Sequence, residues 1–178
     1  MKHTTRILGG TLKFRVLEQP GEGTRPVSQK IRQAIFDTLG HDLSGLVVAD
    51  LYAGSGALGF EALSCGATKV VFVERARIAA QGIIKASKEF GVDEEIQVIT
   101  GSVENSFTVI TGSNIIFFDP PYDACDMTLA AQAADSLAKD GVLVLSCSSR
   151  QKLPETLGNA SIVKDRTYGS TKIAYYKS

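Results

Sequence analysis

The chain has 178 residues, of which 44% are hydrophobic, and equal numbers of basic and acidic side chains, 19 of each. This length suits one domain with a sizeable core, and no apolar run is long enough to span a bilayer. The start of the chain lacks the apolar segment of a signal peptide, and its three cysteines form no C-x-x-C pair. We therefore expect a cytoplasmic protein without a disulfide scaffold or a metal site.

The basic side chains are concentrated at the N-terminal end. Residues 1–33 hold seven basic and two acidic groups, a net charge of +5, and the remainder of the chain carries −5. Such asymmetry favours a surface that faces phosphates, although a solvated basic surface without a partner is the alternative. The residues expected to contact phosphates are Lys13, Arg15, Arg25, Lys30 and Arg32.

The same segment contains two predicted elements joined by a loop. Ile7-Leu8 and Leu12–Leu17, separated by two glycines, predict a small β-hairpin. Residues 19–25 form a Gly/Pro-rich loop, after which Ser28 opens a helix that extends to about Leu39.

A Gly-rich turn follows the first buried strand, predicted at residues 46–51. Gly54, Gly56 and Gly59 make a G-x-G-x-x-G pattern between this strand and an apolar helix. The pattern alone fits either a dinucleotide or another adenosine cofactor. Asp50 favours the second, because a carboxylate at the strand end would repel a pyrophosphate at the helix N-terminus. It suits a cofactor that carries an ammonium group, such as S-adenosylmethionine.

Further cofactor contacts are expected at the neighbouring strand ends. The next apolar strand, residues 69–74, ends in Glu74, whose carboxylate can accept hydrogen bonds from both ribose hydroxyls. Tyr52 lies in the Gly-rich turn, with core packing as its alternative role, and Arg75 either flanks the adenine or is solvated. The remaining expected cofactor contacts are Ser55, Ser102 and Val103.

Strands and helices alternate along the rest of the chain. Helices are predicted at 57–65, 76–89, 103–107 and 126–138, and strands at 95–100, 113–118 and 141–147. An antiparallel pair, 162–167 with 171–177, closes the chain. This order predicts an α/β fold with a doubly wound, mostly parallel seven-stranded sheet, whose ligands bind at the carboxyl ends of the strands.

The sequence Asp119-Pro120-Pro121-Tyr122 directly follows a buried strand. Asp119 and the Pro120 carbonyl can each accept one hydrogen of a planar amine, and the Tyr122 ring can stack on the plane of a base. The alternative is a strand that ends at proline, with a tyrosine in the core. Together with the Gly-rich turn, the tetrapeptide is typical of an amino-methyltransferase in which Asp119, Pro120 and Tyr122 are catalytic and Pro121 contacts the substrate.

Nearly the whole chain resembles the RsmD-like enzymes, which methylate the N2 amine of a guanine in 16S ribosomal RNA. The resemblance rests on five segments, which are residues 6–15, 24–36, 50–64, 72–74 and 118–122, and on the closing residues 168–176. Three positions depart from the family pattern, namely Gln33, Ser102 and Ser146. The resemblance implies a monomeric class I methyltransferase of the Rossmann-like type, with S-adenosylmethionine as cofactor and the small ribosomal subunit as partner.

The resemblance also implies one methyltransferase domain over residues 1–178. In it, residues 1–25 form a hairpin and loop extension that contacts RNA, and residues 26–178 form the catalytic core. Three alternatives remain open at this point. They are an adenine or cytosine amino-methyltransferase acting on DNA, a protein glutamine methyltransferase, and a catalytically silent RNA-binding protein on the same fold.

Overall fold

A computed structural model of the chain describes residues 4–18, 27–121 and 125–178. Within these ranges the strands are β1 (Thr4–Arg6), β2 (Val16–Glu18), β3 (Val47–Leu51), β4 (Lys69–Glu74), β5 (Ile96–Thr100), β6 (Ser113–Phe118), β7 (Leu137–Ser148), β8 (Thr156–Leu157), β9 (Ala160–Tyr168) and β10 (Thr171–Lys177). The helices are α1 (Gln29–Leu39), α2 (Ala57–Ser64), α3 (Arg77–Phe90), α4 (Phe107–Ile110) and α5 (Met127–Asp135), with a 3₁₀ turn at Val103–Asn105.

The main sheet has the strand order β5-β4-β3-β6-β7-β10-β9-β8. Strands β3 to β7 run parallel to one another, and β10 runs antiparallel between β7 and β9. The predicted doubly wound, Rossmann-like fold with its antiparallel C-terminal pair is therefore confirmed. The described sheet has one strand more than the seven predicted, because the two-residue β8 pairs with the start of β9. So short a segment leaves no period-2 pattern in the sequence.

Successive side chains of each strand point to opposite faces of the sheet, so the apolar core has two parts, one on each face. Val48 packs on one face with the apolar residues of α1, α2 and α3. Ala49 and Leu51 face the opposite side and pack with α4 and α5. Helices therefore cover both faces, and the carboxyl ends of the parallel strands remain at one edge, where loops can build a site.

The N-terminal hairpin exists, but its strands differ from the predicted ones. The paired segments are β1 and β2, and the chain between them folds as turns that bury Ile7 and Leu12. Backbone N–H groups in these turns donate to Glu61 and Ser64 of α2 instead of to a facing strand. The local pairing was predicted correctly, but the predicted bounds of the strands were wrong, because Leu8, Gly9 and Leu12 bond residues of α2 that lie more than fifty positions away.

The boundary between α5 and β7 also differs from the prediction. The helix ends at Asp135, three residues early, and β7 begins at Leu137 instead of 141. The Ser136 hydroxyl donates to the Gln132 carbonyl at 2.9 Å, and its N–H donates to the Ala133 carbonyl, which completes the last turn. Leu137 is then buried and pairs with Ser113 of β6.

Candidate active site

Three carboxylates meet at the carboxyl edge of neighbouring strands. Asp50 lies in β3, Glu74 ends β4, and Asp119 directly follows β6. Because these strands are adjacent in the order β4-β3-β6, the three groups are brought together, and the charges of Asp119 and Glu74 help to raise the pKa of Asp50. The predicted convergence of these acids is thus present in the structure.

Asp50 is buried, with 2% of its surface exposed. Its Oδ2 accepts a hydrogen bond of 2.9 Å from the N–H of Gly59 in the first turn of α2. Loss of water raises the pKa of Asp50 well above its usual range, and the Gly59 N–H only partly offsets this effect. The carboxylate therefore fixes α2 against β3, a role that the sequence did not indicate. Its contact with a cofactor ammonium stays a prediction.

Glu74 organises the Gly-rich turn through both of its oxygens. Oε2 accepts from the Gly54 N–H at 2.8 Å, and Oε1 accepts from the Ala76 N–H at 2.7 Å. Each oxygen keeps a lone pair for a further donor, such as a ribose hydroxyl. Glu74 consequently links the turn after β3 to the turn after β4.

The turn itself depends on residues that tolerate unusual backbone angles. Gly56 precedes α2 with φ 76°, a left-handed conformation that glycine adopts without strain. Tyr52 has φ 61° although it carries a bulky side chain, and its ring packs edge-on against Phe118 at 5.3 Å. Strain of this kind is typical of binding sites. Ser55 is partly buried in the same turn.

Gly59 allows α2 to lie close to the sheet. A Cβ at this position would lie 2.2 Å from a ring carbon of Phe72 in β4. The third glycine of the pattern therefore serves helix–sheet packing, while Gly54 and Gly56 shape the turn.

The other predicted cofactor residues lie at the ends of β4 and β5. The Gly101 N–H donates to the Glu74 carbonyl at 3.1 Å, which places the chain after β5 beside Glu74. Ser102 is partly buried, and its Oγ accepts a 3.2 Å hydrogen bond from Asn105. Val103 is buried at 3% exposure, whereas Arg75 is exposed. Direct contact of these residues with a cofactor stays a prediction.

Asp119 occupies a partly buried position in the crevice. Desolvation raises its pKa from 3.8 to about 6, and a hydrogen bond with the Ser146 side chain at the end of β7 opposes the rise. The Ser146 side chain, which sequence reasoning noted only as a departure from the family pattern, thus lies beside Asp119 and interacts with its carboxylate. Pro120 is buried and Pro121 is exposed, and the predicted catalytic Tyr122 lies outside the described residues.

Three acidic side chains line the crevice. Within the described ranges, none of Asp50, Glu74 and Asp119 forms an ion pair. Such a crevice fits a ligand that carries positive charge, and S-adenosylmethionine carries both a sulfonium and an ammonium group. In the part of the chain that the structure describes, no cluster of His, Cys, Asp and Glu could hold a metal ion.

Most of the basic residues predicted to contact phosphates are placed on the surface. Lys13 and Arg15 lie exposed on the hairpin, and Lys30 lies exposed on α1. Arg25 lies outside the described residues. These side chains remain candidates for phosphate contact.

The prediction that Arg32 contacts a phosphate was wrong, because only 1% of its surface is exposed. Its Nη1 donates to Thr5 Oγ1 at 2.9 Å, its Nη2 donates to the Arg6 carbonyl, and its Nε lies 3.4 Å from Glu61 Oε2. Burial lowers the pKa of Arg32, and the carboxylate of Glu61 opposes that change. The guanidinium faces the protein interior, so it offers no surface to a phosphate.

Glu61 is the residue that sequence reasoning missed. It is buried on α2, where it accepts hydrogen bonds from the N–H groups of Leu8 at 3.0 Å and Gly9 at 2.8 Å in addition to its ion pair with Arg32. The only signal in the sequence was an acid within an otherwise apolar helix. Glu61 and Arg32 together hold the hairpin and α1 against the helix that begins at the Gly-rich turn.

Comparison with known proteins gives consistent matches over nearly the full chain. The model of the family described as conserved hypothetical protein 95 matches residues 5–177. The protein YlbH of Bacillus subtilis, named as a candidate rRNA methyltransferase, is 34% identical over 180 residues, which cover 97% of this chain and 98% of the relative. Ribosomal RNA small subunit methyltransferase D of Escherichia coli is 27% identical over 176 residues, covering 97% of this chain and 89% of the relative.

A solved structure shares the fold at lower identity. The T. thermophilus 16S rRNA N2 G1207 methyltransferase RsmC, in complex with AdoMet and guanosine, superposes with a TM-score of 0.74 and 21% identity. The match covers 100% of this chain and 50% of that chain. No helix within the described ranges is long and apolar enough to cross a membrane.

Proposed function

Since the chain belongs to the family described as conserved hypothetical protein 95, the RsmD family, we propose that it transfers a methyl group from S-adenosylmethionine to the N2 amine of a guanine in 16S ribosomal RNA. We propose further that the substrate is the assembled or partly assembled small ribosomal subunit and that the protein acts as a monomer in the cytoplasm.

The observation that carries this proposal is the crevice formed by Asp50, Glu74 and Asp119 beside the Gly-rich turn. The acidic lining of the crevice supports binding of a cationic cofactor, and the two oxygens of Glu74 support binding of its ribose. When bound, S-adenosylmethionine supplies an activated methyl group on its sulfonium. The chain itself then needs to hold and orient the amine that accepts this group.

Asp119 and the Pro120 carbonyl are suited to that task. An aryl amine shares its lone pair with the ring and is therefore a weak nucleophile. Two acceptors that bind its hydrogens direct the lone pair away from the ring and stabilise the positive charge that develops on nitrogen. Proximity contributes as well, since positioning the two reactants together lowers the activation free energy by roughly 7–11 kcal/mol. The hydrogen bond with the Ser146 side chain supports this role, because it would help to orient the Asp119 carboxylate.

A base can reach this crevice only after it leaves its stack. Extrusion is least costly for an unpaired or mismatched base, which favours an RNA loop over a regular duplex. The exposed cations Lys13, Arg15 and Lys30 are suited to contacts with the phosphates around such a loop.

The test is transfer of tritium from labelled S-adenosylmethionine to 30S particles, naked 16S rRNA and duplex DNA, followed by nucleoside analysis. We expect N2-methylguanosine from the 30S particles and no label in DNA. Label in N6-methyladenine or N4-methylcytosine would replace the proposal with a DNA amino-methyltransferase. Absence of transfer to every substrate, with intact binding of S-adenosylmethionine, would favour a silent RNA-binding protein.

A further inference from the structure

Phe14 lies in the turns that connect β1 with β2, in an unfavourable backbone conformation. Its φ is 71°, in the left-handed region that bulky residues rarely adopt. Hydrogen bonds from the Phe14 N–H to the Ile7 carbonyl and from the Ile7 N–H to the Arg15 carbonyl, both 3.0 Å, hold this geometry. The strain is therefore imposed by the surrounding turn.

Burial contributes little to the stability of the Phe14 ring in this conformation. Its exposed fraction is 69%, and it is the one aromatic residue among the strongly exposed hydrophobic side chains within the described ranges. An exposed aromatic ring in a strained conformation points to a function other than packing.

Exposed cations precede and follow Phe14 in the chain, Lys13 and Arg15, and the first of them contacts its ring. The ammonium of Lys13 lies 4.9 Å from the centroid of the Phe14 ring. The guanidinium of Arg15 lies over Phe90 of α3 at 5.6 Å, which directs that side chain along the protein surface. An aromatic platform between basic groups is the usual arrangement for binding a single-stranded nucleic acid, since bases stack on the ring and phosphates pair with the cations. Association with a second copy is disfavoured because the same positive charges would meet.

The turns that contain Phe14 are fixed relative to the active site. Glu61 and Ser64 bind the backbone of the hairpin, and both belong to the helix that begins directly after the Gly-rich turn. A base bound at Phe14 would therefore help to place the RNA strand with respect to the crevice.

We propose that Phe14 is a binding site for an unpaired nucleobase of the RNA substrate, stacked on its ring and flanked by phosphate contacts to Lys13 and Arg15. This site rests on the proposed function, since it names the part of the RNA that the hairpin recognises.

The substitution Phe14→Gly separates binding from folding. Glycine adopts φ 71° without strain, so the variant should melt at the same temperature as the parent protein or higher. Its affinity for 30S particles and for 16S rRNA should nonetheless fall roughly fivefold to a hundredfold, the range expected for loss of one base stacked on an aromatic ring. Phe14→Tyr should retain binding, and Phe14→Leu, which keeps an apolar side chain without a ring, should lose it.

Three controls accompany the RNA binding measurements. Val163→Ala removes another strongly exposed apolar side chain, on β9, and should leave affinity for RNA unchanged. The affinity of each variant for S-adenosylmethionine, measured by calorimetry, should equal that of the parent. Tritium transfer by the parent protein tests the proposed function separately.

Two results would overturn the inference while the proposed function stands. One is parental methylation of RNA together with unchanged RNA affinity of Phe14→Gly. The other is equal affinity of the leucine and tyrosine variants, which would assign Phe14 a general apolar contact. If the parent protein labels no RNA, the proposed function fails, and with it the basis for this site.

Discussion

Asp119 lies at the proposed catalytic position, in an environment that disfavours its ionised form. Desolvation raises its pKa to about 6, and the Ser146 side chain opposes the rise through a hydrogen bond. The carboxylate is therefore ionised at neutral pH but close enough to titration that its protonation becomes measurable. The following three predictions concern this carboxylate, and two of them use its raised pKa.

The substitution Asp119→Ala should lower kcat on the order of 10²–10³-fold, because it removes one acceptor that acts on the amine in the transition state. Binding of S-adenosylmethionine, measured by calorimetry, should change little. A variant that keeps its rate would show that the amine is held by other groups. Loss of cofactor binding to the same degree would place Asp119 in the cofactor site instead.

The rate should decrease at acidic pH, because only the ionised carboxylate of Asp119 accepts two hydrogen bonds freely. In a plot of kcat/KM against pH, we expect the decrease on the acidic side to have its midpoint near pH 6. Ser146→Ala removes the hydrogen bond that lowers the pKa of Asp119, so the midpoint should move to higher pH. Ser146→Thr keeps the hydroxyl and should restore the parental profile. An identical midpoint in the alanine variant would exclude Ser146 as the orienting residue.

The negative charge of Asp119 should lower the free energy of unfolding at neutral pH. Because the folded-state pKa of Asp119 is raised from 3.8 to about 6, the native state binds the proton more tightly, and stability from this group decreases as the pH rises through that interval. Asp119→Asn should therefore increase the free energy of unfolding by about 1–3 kcal/mol at pH 7 and leave it unchanged below about pH 4. Asp93→Asn, at an exposed loop position, is the control and should change neither value.

At the scale of elements, α2 connects the cofactor turn, the sheet and the hairpin. Its contact with β4 requires glycine at one position, and its buried face carries an acid that binds the hairpin backbone. Two substitutions test these connections.

Gly59→Ala should destabilise the protein, because the added Cβ would lie 2.2 Å from the Phe72 ring. Overpacking of this kind costs about 1–3 kcal/mol. Gly82→Ala is the matched control in α3, where nothing lies within 4 Å of the added atom. There the substitution should stabilise the helix by about 0.5–1 kcal/mol. Chemical denaturation of both variants measures the difference, and equal effects would contradict the close approach of α2 to the sheet.

Glu61→Ala should cost about 3–5 kcal/mol, since it leaves the buried guanidinium of Arg32 without its counter-charge. The N–H groups of Leu8 and Gly9 also lose their acceptor, so their amide hydrogens should exchange faster than in the parent protein. Glu104→Ala, at an exposed position in the 3₁₀ turn, should affect neither measurement. Unchanged exchange at Leu8 and Gly9 would show that the hairpin is held by other contacts.

At the scale of the whole molecule, the charge is divided between a basic N-terminal segment and an acidic body. The net charge is zero, yet residues 1–33 carry +5. Burial of Arg32 removes one of these cations from the surface, so fewer groups are available to an RNA partner than the composition suggests. The exposed cations nevertheless lie on the hairpin and on α1.

Replacing Lys13, Arg15 and Lys30 together by alanine should weaken binding to 30S particles and reduce its salt dependence. Each lost phosphate contact should lower the slope of log K against log salt by about 0.7–0.9. The methylated nucleoside should stay the same, because phosphate contacts position a protein without reading the base. Alanine at Lys88 and Lys139, which lie on the acidic body, is the control and should leave the slope unchanged. A changed nucleoside would assign base selection to the hairpin.

The sequence by itself determined the order of elements and the chemistry of their ends. Alternating apolar runs predicted the parallel sheet, because buried strands and the faces of helices require periodic apolar residues. Gly54, Gly56, Glu74 and Asp119 were identified because glycine and acidic residues at the ends of strands are local patterns. The basic segment followed from a count of charges.

Tertiary structure alone decided which distant groups meet. Arg32 was predicted to face phosphates, but its burial depends on Glu61 and on the hairpin, which are remote in the chain. Ser146 interacts with Asp119 only because β7 lies beside β6 in the sheet. Asp50 likewise accepts a hydrogen bond from Gly59, a residue of the following helix. The physical reason is that hydrogen bonds and desolvation depend on neighbours in space. The period of apolar residues indicates which face of a helix or strand is buried, but it does not indicate which residues pack against that face.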